Sequence, residues 1–174
     1  MTEQVILVDE HDLPQGQMDK LEAHEKGMLH RAFSVFIFNS KKELLLQRRA
    51  IGKYHSGGLW TNTCCSHPRV GEENLAAANR RLMEEMGMSC DLNYLFNFTY
   101  KVKFEDGLTE HELDHVFYGV SDDLPVINPT EVEEYRYISL FDLKKDIEQH
   151  SDQYTAWLKI CLDGVIGNLE EALK

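Results

Sequence analysis

Cys65 and His67 stand two residues apart in W-T-N-T-C-C-S-H-P, residues 60–68, and a helix-forming run closing R-R-L-M-E-E-M-G follows at residues 80–87. A thiol can carry a proton, an imidazole can bind a metal, paired guanidinium groups suit phosphate oxygens, and paired carboxylates suit a hard cation. If the first segment is extended, residues two apart point to the same side. The Cys65 thiol then sits beside the His67 imidazole, and Cys64 faces the core. A buried cysteine is more often a small hydrophobe, and that reading suits Cys64.

Other chemistry-bearing residues lie outside this stretch. His24 and His30 are six apart, a spacing that fits no one-turn metal motif, and surface decoration is the plain alternative. Arg48-Arg49 with Lys53 is the one dense basic spot in an acidic chain, a diphosphate clamp or the solvated end of a strand. Glu110, Glu112 and Asp114 alternate along an aromatic strand, so they share a face. That face is either wet or bound to a cation, because buried carboxylates are otherwise costly. On the helix, Arg80–Glu84 and Arg81–Glu85 are i,i+4 pairs, and surface ion pairing is the bland account of them.

The elements that must position these groups follow from periodicity and turn residues. Val5–Val8 predicts a strand, and Asp9–Gly16, with Pro14 and Gly16, a loop. Arg31–Phe38 and Glu43–Arg49 predict a hairpin joined at Asn39–Lys42. Glu72–Met86 predicts a helix, with Asn74 or Glu72 serving its first turn and Gly87 its C-cap. Asp91–Phe104 and Leu108–Val120 predict an antiparallel hairpin centred near Asp106, which sets Tyr100 across from Glu112. On the second strand Leu113, Phe117, His111 and His115 face away from the carboxylates. Ser121–Thr130 predicts a loop, Glu131–Ile138 a strand, Ser139–His150 a capped helix, and Thr155–Leu173 a final amphipathic helix carrying Trp157.

The 174 residues suit one domain, 1–174, with a sizeable core. A net charge of −12 argues against non-specific binding to nucleic acid or to an anionic membrane, and it confines any anion site to a local basic cluster. No apolar run approaches the ~18 residues that span a bilayer. The opening M-T-E-Q lacks the basic region of a signal peptide, and the four cysteines form no C-x-x-C pair, so a cytoplasmic setting is expected.

The pattern Glu72, Arg80, Leu82, Glu84, Glu85, Gly87, Met88 resembles a Nudix box, the loop-helix motif that holds magnesium against a diphosphate. Two positions depart from it: Ser66 stands where the box has its leading glycine, and Arg81 where a glutamate follows the box arginine. Together with T-N-T-C-C-S-H-P, these departures resemble type 1 isopentenyl diphosphate isomerase, from about Val5 to Trp157. The resemblance implies a Nudix-like α/β/α sandwich, a mixed sheet with flanking helices. It implies interconversion of isopentenyl and dimethylallyl diphosphate through a carbocation; a Nudix diphosphohydrolase is the alternative. By resemblance, Cys65 and Glu112 transfer protons, Tyr100 supports Glu112, and Trp157 faces the cation. His24, His30, His67, Glu110 and Glu112 would hold one zinc or manganese ion, although the family spaces its first two histidines slightly differently. Glu85 would hold magnesium with the diphosphate, and Lys20, Arg49, Lys53 and Arg81 would bind that diphosphate. The implied partner is the small-molecule isoprenoid diphosphate, taken up by a monomer or weak homodimer.

Overall fold

The computed structural model describes residues 2–53 and 55–172. In chain order the elements are β1 (Gln4–Val8), β2 (Pro14–Asp19), α1 (Lys20–Lys26), β3 (His30–Phe38), β4 (Glu43–Arg49), β5 (Trp60–Thr61) and β6 (Cys64–Ser66). Then come α2 (Asn74–Met86), β7 (Asn93–Lys103), β8 (Thr109–Val120), β9 (Val132–Ser139), α3 (Leu140–Gln149), a 3-10 turn (Ser151–Gln153) and α4 (Ala156–Ala172). The expected single domain over 1–174 includes Met1, Tyr54, Leu173 and Lys174, which lie outside the described residues, as does the predicted end of the last helix at Leu173.

The sheet is mixed and centred on β3. β8 lies parallel to it from His30↔Glu112 to Phe38↔Val120, and β6 pairs antiparallel through Phe33↔Ser66, Ser34↔Cys65 and Val35↔Cys64. Strand alternation gives β3 two buried faces. Phe33, Val35 and Ile37 join Ala77, Ala78, Leu82 and Met86 of α2 in one core. Phe36 and Phe38 join Leu158, Cys161, Leu162 and Val165 of α4 in the other. A strand buried on both faces reads as a near-continuous apolar run, which is how V-F-I-F reads. Helices on both faces make the expected sandwich.

The hairpin of β7 and β8 forms in the expected register, with Tyr100 opposite Glu112. Phe104 and Leu108 close it around Asp106 and Gly107. Two other expectations differ from what is found. Pro14 and Gly16 are not loop residues: they belong to β2, which pairs with β1. β2 is an edge strand, where a proline's missing N–H leaves no ladder bond unmade. The helix predicted from Glu72 begins at Asn74, and its cap residue Glu73 makes no side-chain cap bond. Glu72 instead accepts from the Arg69 backbone N–H at 2.9 Å and from the Arg80 guanidinium fork at 2.8 Å through each oxygen. At the far end Gly87 takes φ 61°, and a Cβ there would come within 2.6 Å of the Val126 carbonyl oxygen, so glycine is needed for both reasons.

Candidate active site and metal centre

α1 was not foreseen, and it places the first ligand. Asp19 accepts from the Leu21 and Glu22 backbone N–H groups, and Gly27, in the left-handed region, ends the helix after two turns. His24 is thereby turned inward with no exposure, and His30 at the head of β3 is equally buried, so neither is surface decoration. The Nδ1 of His24 lies 2.8 Å from the Lys20 carbonyl, and that of His30 lies 2.9 Å from the Met28 carbonyl. A carbonyl only accepts, so each ring carries a proton on Nδ1 and turns its Nε2 into the site. His67 completes a group of three whose nitrogens lie within 4.8 Å of one another.

The carboxylates enter from β8. Glu110, Glu112 and Asp114 are buried, which rules out a wet strand face. Glu112 Oε2 is 3.0 Å from His67 Nε2 and 3.5 Å from His30 Nε2. The Tyr100 hydroxyl, directly across the hairpin, donates to Glu112 Oε1 at 2.6 Å and lies 3.1 Å from Glu110 Oε2. Burial pushes the Glu112 carboxyl up, but His67 and the His30 contact outweigh it and hold it well below the usual range. His24 moves down to about 3, through burial first and then His67 and His30. Imidazole nitrogens facing two buried carboxylates fit a divalent cation with mixed nitrogen and oxygen ligands.

His67, Tyr100, Glu110, Glu112 and Asp114 line a cleft of about 480 Å³ with Cys65, Trp157 and a set of cations. Six of the chain's 18 Lys and Arg residues line it: Lys20, Arg49, Lys53, Arg69, Arg80 and Arg81. Arg48 does not line it; alternation turns it out to the Gly58 carbonyl and Glu134. Arg49 and Arg81 each bury an Nε that has no hydrogen-bond partner. Buried orphan donors on two guanidinium groups fit an anion. Lys20 pairs with Glu3 at 2.8 Å. Lys53 pairs with Glu131, which also lies 3.6 Å from Arg81, so a carboxylate from β9's entry sits among the clamp's cations. Glu85 is buried beside this clamp. Arg81 lies 3.3 Å from its Oε1, and the thiol of Cys64 donates to its Oε2 at 2.8 Å. Cys64 is thus both a core residue and a partner of Glu85.

Cys65 faces the cleft from β6, as alternation predicts. Burial pushes its thiol far up, so the sulfur keeps its proton. Trp157, from the first turn of α4, is buried with the Arg49 guanidinium 5.1 Å from its ring centroid. His55 was missed. It sits in the turn after Lys53, stacks on Phe104 and places Nε2 3.2 Å from Glu110 Oε1. A turn carries no periodicity; the only signal was a histidine between a clamp lysine and Gly57-Gly58.

The box-bearing helix over a mixed sheet defines a NUDIX protein, and the sequence matches the NUDIX domain family over residues 28–158. A solved structure from Deinococcus radiodurans shares the fold, with a TM-score of 0.71 at 20% identity, over 84% of this chain and 90% of that one. Isopentenyl-diphosphate Delta-isomerase 2 of Aromatoleum aromaticum is 55% identical over 166 residues, 95% of this chain and 88% of that protein. The isopentenyl-diphosphate Delta-isomerase of Pectobacterium atrosepticum is 56% identical over 157 residues, 90% of this chain and 88% of that protein. Within the NUDIX class, the chain belongs to the isopentenyl-diphosphate Delta-isomerase family.

Proposed function

We propose that the protein interconverts isopentenyl and dimethylallyl diphosphate. The observation that carries this reading is that Cys65 and Glu112 reach one cleft from two strands that both pair with β3, with six Lys and Arg residues lining the same cleft. The double bond moves when one group adds a proton to the terminal alkene carbon and another removes one from the next-but-one carbon. The resting site supplies one of each: burial keeps Cys65 protonated, and His67 and His30 keep Glu112 ionised. Their roles exchange with the direction of this reversible reaction. Tyr100 holds the Glu112 carboxylate in place. Trp157 presents an electron-rich ring face to the tertiary carbocation, while Arg49 covers part of the same ring. Arg49, Lys53, Arg81 and Lys20 bind the diphosphate, which leaves the hydrocarbon end against Cys65.

His24, His30, His67, Glu110 and Glu112 would hold one zinc or manganese ion, and Glu85 would contribute one oxygen to a magnesium ion shared with the diphosphate. When bound, these ions supply positive charge that orients Glu112 and neutralises phosphate oxygens. The hydrolase alternative is disfavoured at position 81. The box would need a carboxylate there, and the guanidinium present instead lies 3.2 Å from Glu84 and 3.3 Å from Glu85. We further place the protein as a single domain, a monomer or weak homodimer in the cytoplasm, acting on a small molecule and on neither nucleic acid nor membrane. The net charge of −12 and four free cysteines support this. Among the described residues no helix is long and apolar enough to cross a membrane.

The test is proton and phosphorus NMR of one sample containing protein, isopentenyl diphosphate, magnesium, and zinc or manganese. Dimethylallyl signals should grow with the diphosphate intact. Release of phosphate would instead establish the hydrolase. A Cys65→Ala protein should lose turnover; full activity in that variant would end the proton-transfer assignment.

A further inference from the structure

The buried imidazoles and carboxylates form a pattern larger than the five ligands above. Glu112 Oε2 lies between His67 and His30, at 3.0 and 3.5 Å. Glu110 Oε1 lies in the same way between His55 and His24, at 3.2 and 3.7 Å. His24 belongs to both clusters: its ligand atom is within 4.8 Å of those of His30 and His67, and within 4.8 Å of those of His55 and Glu110. The His55 side chain is 4% exposed. Its ring is fixed by a near-parallel stack on Phe104, centroids 4.8 Å apart, and by an edge contact with Trp157 at 5.9 Å. The turn that carries it is close-packed, since a Cβ on Gly57 would come within 2.5 Å of the Ile51 carbonyl oxygen. His55 Nδ1 lies 3.1 Å from the Ser56 hydroxyl. That hydroxyl can accept from Nδ1–H, which would turn Nε2 to the ion, as in His24 and His30.

We propose that His55 is a fourth imidazole donor of the metal centre, binding through Nε2 beside Glu110. This rests on the metal-centre reading above and extends its ligand set. With His24, His30, His67, Glu110 and Glu112 it makes six donors. A six-donor set exceeds the four of a closed tetrahedral zinc site and suits an octahedral ion such as manganese.

Cadmium, a diamagnetic ion that accepts six ligands, is the probe. The full chain is prepared with isotope-labelled histidine, and its imidazoles are followed by long-range proton–nitrogen NMR as cadmium is added. Single His→Gln variants at positions 24, 30, 55 and 67 assign the signals. The expected result is cadmium–nitrogen coupling at Nε2 of all four rings, with each proton on Nδ1. His55→Gln should then leave three coupled rings and weaken cadmium binding about tenfold or more in a chelator competition. Coupling at three rings, with His55 keeping a proton on Nε2, would overturn the proposal and leave the centre intact, His55 then being a hydrogen-bond donor to Glu110. No coupling at any ring would overturn the metal centre itself, and the proposal with it.

Discussion

Tyr100 shows how much one atom can contribute. Its hydroxyl is the donor to Glu112, and burial with Glu110 and Glu112 nearby pushes its pKa well above 10, so it stays protonated across any working pH. A hydrogen bond to a charged group contributes about 1.5–3 kcal/mol, so Tyr100→Phe should lower kcat roughly tenfold to a hundredfold. KM should move by no more than about twofold, because the phenol's hydrogen bonds go to Glu110 and Glu112 rather than to the basic residues. Steady-state kinetics check this; an unchanged kcat would remove Tyr100 from the machinery. This residue was legible in the sequence because Asp106-Gly107 marks the hairpin turn and counting outward from it reaches Glu112. Cys65 was legible too, since alternation alone separates it from Cys64. His55 was not: in a turn, nothing in the spacing says where a ring points. The carboxylate contact of Cys64 was equally hidden, because it depends on how β6 sits against α2.

At the scale of elements, α2 is anchored less by its cap than by a fork. Arg80 grips both oxygens of Glu72 and also reaches Glu84 at 2.8 Å, tying the chain that enters the helix to its third turn. The i,i+4 pattern showed only the Glu84 half, because Glu72 lies outside the helix and two turns back. The Arg80 hydrogen bond holds the Glu72 carboxyl below its ordinary value of 4.5. Glu72→Gln should lower stability by about 1–2 kcal/mol at neutral pH, the pair being partly exposed. The sign with pH follows from the lowered pKa. The native state sheds this proton more readily than the unfolded chain, so the contribution is present above about pH 4.5 and fades as pH falls through the native value. Denaturant titrations of both proteins should therefore converge at low pH. A difference that persisted there would assign the loss to packing. Elsewhere, the long periodic elements were readable, whereas α1 was not: seven residues are too few for an amphipathic pattern, and the strand before it opens on a proline.

Across the whole molecule, the proposed metal ligands come from α1, the head of β3, the residue after β6 and the first residues of β8. An ion that binds only the folded chain therefore ties these elements together. At a free concentration about a hundred times its Kd it should add about 2.7 kcal/mol, a rise in Tm of roughly 5–11 °C over chelator-treated protein. Calorimetry with and without manganese checks this, and an unchanged Tm would mean that the folded state gains nothing from the ion. The parallel ladder of β3 and β8 has a kinetic meaning as well. His24, His30, His67 and both neighbouring thiols are made before Glu110 and Glu112, and His30 meets Glu112 only when a loop of about 80 residues closes. Long closures come late, because their entropy cost precedes their reward. A chain still on the ribosome thus carries the imidazole and thiol donors without the carboxylates, and the order of synthesis postpones completion of the proposed centre until one of the sheet's long joins is made.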